Sequence, residues 1–374
     1  MKKINFVSPF YPYRGGIAQF SDALSIHLQK NNIVSKINFK RLYPSFLFPG
    51  KSQYVDSDFD RKLISSGLDS LNPFTIKSIV SKINDVSGAK NIVLSVYWMS
   101  FFAPILILLN FFVSKKNKKI AIIHNLIPHE QRFFDSFLTR LYLKSQDAYV
   151  VLSEKVEKDV LKFQPDAKIL RLFHPLYDHF GEKLDKQSAR LKLSIAKDRK
   201  VILFFGLIRD YKGLDILLQS FSFLDESYLL VIAGECYGSF EKYQLIIDQN
   251  NLSNQILHFD KFVSDADVPF LFSSADVCVL PYKKATQSGV TATALHFEVP
   301  IVSSNVGGLS EYIKNGENGV LIEPNEPVML SEAIKTACES TKNQFMIEKT
   351  KEIKVLFSWE RFSRELNFFI DTLY

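Results

Sequence analysis

Two cations, Arg209 and Lys212, follow the apolar run Val201–Phe205 and Gly206, and precede a helical pattern over Gly213–Leu224. A guanidinium and an ammonium at the carboxyl end of a buried strand, beside a helix start, stand where a pyrophosphate would be clamped. Two solvated loop charges are the alternative, and the position after a glycine at an expected switch point of a sheet favours the clamp. A second candidate is Gly15-Gly16, between the first apolar run and a helical pattern. A glycine pair there either lets backbone N–H groups approach an anion at the positive helix end or makes a tight turn. It is not a G-x-G-x-x-G, and no acidic residue follows at the required distance, so no dinucleotide cofactor is expected.

His124 closes the expected strand Lys119–His124 within IIHNLIPHE, with His129 and Glu130 on the loop that follows. A lone histidine at a strand end is either a functional group or a satisfied buried one. His174, His258 and His296 read as structural. The aromatic run Tyr97-Trp98-Met99-Ser100-Phe101-Phe102, also at a strand end, either presents an apolar surface to a ligand or belongs to the core, the commoner outcome. Asp56-Ser57-Asp58 and Asp265-Ala266-Asp267 match a D-x-D pattern that can hold a divalent cation. The first lacks a preceding buried strand, and the second sits at an expected helix start, where aspartates cap N–H groups. Neither is read as a metal site. Cys236, Cys278 and Cys338 lie far apart in apolar runs and read as reduced core residues.

Short apolar strands alternating with helical patterns must position these groups. The expected strands are Ile4–Ser8, Ile33–Phe39, Ile92–Val96, Lys119–His124, Ala148–Ser153 and Lys168–Leu172. A second series comprises Val201–Phe205, Tyr228–Ala233, Ile256–Phe259, Val277–Pro281, Pro300–Ser303 and Val320–Ile322. Continuous apolar strands separated by helices predict an α/β fold of parallel sheets covered on both faces. At 374 residues the chain exceeds one comfortable core. The expected division is 1–181, 182–356 and a helix at 357–374 crossing back to the N-terminal domain, with the boundary in the charged stretch Gly181–Arg199. The charge of +6 and pI near 8.9 fit a phosphate-bearing ligand or an anionic membrane surface. Nucleic acid is disfavoured, because no basic stripe with interleaved aromatics occurs. Phe101–Val113, followed by Lys115, Lys116, Lys118 and Lys119, is short of the roughly 20 residues a spanning helix needs. It is expected to be a buried or interfacial helix.

FFGLIRDYKGLD at Phe204–Asp215 resembles the donor-phosphate motif of the family 4, or group 1, glycosyltransferases. Gly15-Gly16, His124, LVIAGE ending at Glu235, the stretch from Asp276 to Glu311 and FSWERF at Phe357–Phe362 fall in that family's order. The resemblance implies a GT-B fold, two Rossmann-like domains facing each other across a cleft. It also implies retaining transfer of a sugar from a UDP- or GDP-linked donor to a hydroxyl of a glycan or polyprenyl-linked acceptor in surface-polysaccharide or glycoconjugate biosynthesis. His124, Arg209 and Lys212 would be catalytic, without metal. Gly15, Gly16, Glu235, Phe262, Gln287, Ser288, Gly289, Val290 and Glu311 would hold the donor. Tyr97, Trp98, His129 and Glu130 would lie on the acceptor side. The chain would be cytoplasmic, with a possible place at the inner face of the membrane. The family's two glutamates fall here on Ala285 and Thr293. Neutral contacts from Gln287 and Ser288 could replace the first, and Glu311 could serve the ribose or cap a helix. A non-catalytic nucleotide-sugar binder and a nucleotide-sugar epimerase on the same scaffold are the alternatives.

Overall fold

The computed structural model describes residues 2–43, 53–55, 67–84, 90–126, 134–261, 263–285 and 288–374. It divides into two compact units, Met1–Phe173 with Trp359–Tyr374, and His174–Ser358.

The N-terminal unit runs β1 (Lys2–Val7), α1 (Gly16–Gln29), β2 (Asn32–Ile37), β3 (Phe39–Arg41), β4 (Leu68–Asp69), α2 (Ile76–Asn84), β5 (Asn91–Tyr97) and α3 (Ala103–Phe112). It continues through β6 (Lys118–Ile123), α4 (Asp135–Lys144), β7 (Ala148–Val151), α5 (Glu154–Phe163) and β8 (Ile169–Arg171). Its six-stranded sheet has the order β2-β1-β5-β6-β7-β8, parallel throughout. All of β5, NIVLSVY, is buried, as a strand covered on both faces must be. The expected strand Ile33–Phe39 is broken at Asn38, whose Oδ1 accepts from Phe10 N at 3.1 Å and Phe39 N at 2.8 Å. Beyond it β3 pairs with β4, a short pairing with no apolar periodicity to announce it.

The C-terminal unit runs α6 (Lys186–Lys192), β9 (Lys200–Phe205), α7 (Leu214–Phe221), β10 (Tyr228–Ala233), α8 (Glu241–Gln249), β11 (Ile256–Phe259), α9 (Val268–Ser274) and β12 (Val277–Leu280). Then follow α10 (Gly289–His296), β13 (Ile301–Ser304), β14 (Gly319–Ile322), α11 (Pro327–Cys338) and α12 (Ser340–Lys354). Its sheet is also six-stranded and parallel, but in the order β11-β10-β9-β12-β13-β14, with two strands instead of one lying outside the first strand of the unit. The last helix, α13 (Trp359–Thr372), belongs to the N-terminal unit. It buries Trp359, Phe362, Leu366 and Ile370 on one face, and Phe20 of α1 meets Trp359 at 5.4 Å and Phe362 at 5.8 Å.

The division falls at 173/174 and 358/359, where 181/182 and 356/357 were expected. His174 N donates to Tyr312 Oη at 2.8 Å, Leu176 N to Phe357 O at 3.1 Å, and Phe357 stacks on Tyr312 at 4.8 Å. These contacts hold both connecting segments to the C-terminal unit. The charged stretch Gly181–Arg199 is no linker. It contains α6, whose Arg190 donates from Nε to Ser274 O at 3.0 Å and pairs with Asp276 at 2.7 Å.

Candidate active site

In the N-terminal sheet the strand order reverses between β1 and β5, so ligand-binding loops are expected beyond those carboxyl ends. Gly15 follows β1 at φ 112° as the N-cap of α1. A side chain is disfavoured by that backbone alone, since a β-carbon there would meet nothing within 4 Å. Gly15 and Gly16 are both exposed, leaving the first amides of α1 accessible. His124 stands one residue beyond β6 and is 6% exposed. Its backbone N donates to Tyr97 O at 3.0 Å, and its ring meets Phe20 edge-on at 4.6 Å.

Tyr97 is a core residue, which corrects its place on the acceptor side. It stacks on Tyr142 at 4.4 Å, shares a hydrogen bond of 2.9 Å with Thr139 Oγ1, and burial raises its phenol to about 12. Its position as the last, inward-facing residue of β5 dictates this. Trp98 is half-buried, donating from Nε1 to Tyr43 Oη at 3.2 Å, with its ring against Phe102 at 4.4 Å. His129, Glu130, Phe262 and Gln287 lie outside the described residues.

In the C-terminal sheet the reversal lies between β9 and β12, and the loops after these strands carry the cations and the start of α10. Gly206, at φ 89°, opens the first loop. Arg209 is exposed, its guanidinium 4.9 Å from the Tyr237 ring centre. Lys212 is 8% exposed, and its ammonium lies 5.8 Å from the centre of the Tyr282 ring. Burial, with the Arg209 charge added, lowers its pKa to about 8. Among the described residues no carboxylate pairs with it. Gly213 turns the chain into α7 at φ 71°, and a β-carbon on it would stand 1.9 Å from Pro281 O of the second loop. That approach, with the bond from Lys283 N to Tyr211 O at 2.7 Å, ties the two loops together.

The second loop ends at Ser288, whose Oγ accepts from Val290 N at 3.3 Å as the N-cap of α10 and bonds Tyr282 Oη at 3.2 Å. Gly289 is exposed, with the Tyr177 ring 3.1 Å from where its β-carbon would be. A β-carbon on Gly206 would meet Lys212 Nζ at 3.2 Å and Val290 Cγ2 at 3.7 Å. A desolvated ammonium and the amino end of a helix therefore border one glycine. Both attract negative charge, and the missing side chain leaves room for it.

Glu235 is exposed after β10, and its backbone oxygen accepts from Ile208 N at 2.9 Å. Glu311 ends the turn Gly307–Glu311, exposed, where its charge adds to burial in raising the Tyr312 phenol. Thr293 is 3% exposed and donates from Oγ1 to Gly289 O at 3.0 Å within α10. Ala285 packs partly buried against the apolar cluster that includes Leu280 and Tyr282. Asp267 makes no cap for α9, because its carboxylate accepts from Ser264 Oγ at 2.7 Å instead. The described residues contain no group of three or more metal-ligating side chains. A groove of about 700 Å³ in the N-terminal unit is lined by Lys2, Lys30, Lys90, Glu360 and Asp371. It opens at the strand starts, where Lys2 and Lys90 share Asp371, and so lies away from the loops after β1 and β5.

Sequence reasoning missed Tyr177 and Tyr282 as neighbours of this site. Tyr282 follows the β12 strand in LPYKK, a position that signals a loop at the switch point but not a ring beneath the lysine.

Residues 185–353 match the family described as glycosyl transferases group 1. Spore coat protein SA of Bacillus subtilis (strain 168) is 26% identical over 222 residues, 53% of this chain and 55% of that protein. A D-inositol 3-phosphate glycosyltransferase of Geodermatophilus obscurus is 26% identical over 187 residues, 47% of this chain and 41% of that protein. The chain thus spans about half the length of the curated relatives it matches. Anabaena HepE, solved in complex with UDP, superposes with a TM-score of 0.75 at 14% identity, covering 100% of both chains. Sucrose-phosphate synthase from Thermosynechococcus elongatus gives 0.72 at 15% identity, covering 100% of this chain and 99% of that one. Those identities speak to the fold alone, two parallel-sheet Rossmann-like halves of GT-B type. Residues 185–353 are accordingly similar to the glycosyl transferases group 1 family, within a chain of GT-B fold.

Proposed function

We propose that this chain is a retaining glycosyltransferase that moves a sugar from a nucleoside diphosphate donor, UDP- or GDP-linked, to a hydroxyl of a glycan or polyprenyl-linked acceptor. The observation that carries the reading is the buried Lys212 ammonium beside Gly206 and the first turn of α10. HepE's complexes with UDP and UDP-glucose support the donor class. As the glycosidic bond breaks, negative charge grows on the leaving diphosphate. The desolvated Lys212 ammonium, with the exposed Arg209 and the amide at Gly289, would neutralise it. No metal enters this reading. The acceptor hydroxyl attacks from the leaving-group face, where a phosphate oxygen takes its proton. His124 borders the sugar, and the α1 amides after Gly15 serve the phosphates. Glu235, Ser288 and Glu311 complete the donor contacts, with Trp98 on the acceptor side. The site of action is the cytoplasm, at the inner face of the membrane when the acceptor is lipid-linked, in surface-polysaccharide or glycoconjugate synthesis.

A non-catalytic nucleotide-sugar binder is the second reading. It is favoured by Thr293, whose hydroxyl is turned back onto its own helix, and by Ala285 in apolar packing. Donor turnover separates the two. Nucleoside diphosphate release that disappears in Arg209→Ala and Lys212→Ala supports the enzyme. Thermal stabilisation by nucleoside diphosphates, with no turnover of any donor across a panel of sugar and lipid acceptors, supports the binder.

A further inference from the structure

The outer face of α3 carries Pro104, Leu108, Phe111 and Phe112, all exposed and at i, i+4, i+7 and i+8. Phe111 is 78% exposed and Phe112 57%, the two rings meeting edge-to-face at 5.1 Å. The other face of the helix, with Ala103, Ile105, Leu106 and Leu109, is buried in the core. Helix α4 packs beside α3 and presents its own exposed apolar stripe, Phe134, Phe137 and Leu141. Single exposed apolar residues are ordinary in folded proteins, but an exposed apolar stripe on each of two helices packed together is a surface that calls for a partner.

The charge around the patch identifies that partner. Lys115 and Lys116 follow α3, and Arg140 and Lys144 lie on α4, all four exposed. Helix α3 contains no acid, and Asp135 of α4 is buried, accepting from Ser100 Oγ at 2.6 Å. The next acid, Asp147, accepts from Lys119 N at 2.8 Å. A second copy docked on the same face would bring these cations together, a repulsion that an isologous interface cannot avoid. A surface of spread negative charge over an apolar interior matches both parts of the patch. No described helix is long and apolar enough to cross a membrane, and α3 with 10 residues can only lie along one.

We propose that this face of the N-terminal unit adsorbs to an anionic lipid bilayer. Phe111, Phe112 and Phe137 enter the headgroup–acyl boundary, while Lys115, Lys116, Arg140 and Lys144 meet lipid phosphates. The inference rests on the lipid-linked branch of the proposed function for its use, and adsorption is read without any turnover. The test is co-sedimentation of the full chain with phosphatidylglycerol–phosphatidylcholine vesicles and with pure phosphatidylcholine vesicles. Binding is expected with the anionic vesicles only, falling as salt is raised. The pairs Phe111→Ser with Phe112→Ser, and Lys115→Glu with Lys116→Glu, should each lower the bound fraction roughly tenfold or more, with thermal stability unchanged. Phe345→Ser, an exposed aromatic of α12 in the other unit, should leave binding as it was. Absence of binding at low salt overturns the proposal, as does binding that neither pair reduces. So does a concentration-dependent dimer in light scattering that the Phe pair abolishes, because a second copy then covers the patch. Loss of donor turnover with adsorption intact would overturn the transferase reading and leave this one standing.

Discussion

The Lys212 ammonium lies 3.2 Å from the point where a β-carbon on Gly206 would sit. The glycine therefore holds open the face on which the cation is presented. Gly206→Ala is expected to push the flexible ammonium aside and to strain the backbone at φ 89°. The donor Michaelis constant should rise roughly ten- to a hundredfold, with a smaller loss of thermal stability. Lys212→Ala should lower kcat roughly a hundredfold or more. Steady-state kinetics over a donor series, with a thermal melt on each variant, checks both.

Lys212 also predicts a pH dependence. Its pKa is held at about 8, so it is cationic below that value and neutral above it. A diphosphate binds the cationic form, and donor affinity should be level below about pH 8 and fall as pH rises through it. Lys212→Arg should move that fall out of the accessible range, because guanidinium keeps its proton. Calorimetric titration of a nucleoside diphosphate across pH gives the answer.

The same depressed pKa bears on stability with its own sign. Between about 8 and the ordinary lysine value of 10.5 the unfolded chain binds more protons at this position than the folded one. This position's contribution to stability therefore rises with pH across that window. Lys212→Met should remove the slope and raise the melting temperature at neutral pH while abolishing donor turnover. Denaturant midpoints at several pH values, compared with the parent chain, test it.

Gly213 makes the sharpest structural demand of the two loops. A methyl group there would meet Pro281 O at 1.9 Å, a backbone atom that cannot swing away, at a backbone φ of 71°. Gly213→Ala should cost about 2–4 kcal/mol in urea denaturation. That far exceeds the cost of Gly15→Ala, where only the backbone conformation is opposed.

Ser288 links the start of α10 to the buried Tyr282 hydroxyl. Ser288→Ala should cost about 1 kcal/mol of stability as a lost cap, and more in donor affinity because the helix start loosens. Ser288→Thr should recover most of both. Melting curves with and without nucleoside diphosphate separate the two effects.

The sequence by itself determined the parallel α/β architecture and the place of two cations at the end of one of its strands. Both are local: the apolar strand NIVLSVY and the centre of KVILFF are buried, and Arg209 and Lys212 follow the second of them after a glycine. The tertiary structure decided what no local pattern contains. Asn38 ends β2 because its amide is spent on Phe10 and Phe39, and the charged stretch after Gly181 becomes a docked helix because Arg190 finds Asp276, 86 residues away in sequence. Tyr97 reads as a strand-end aromatic, yet the stacking partner that buries it, Tyr142, comes from α4. The ammonium at Lys212 was legible as a charge, but its desolvation was not. Burial is a property of the neighbours, Gly206, Tyr282 and Val290, which meet only when β9 and β12 lie side by side.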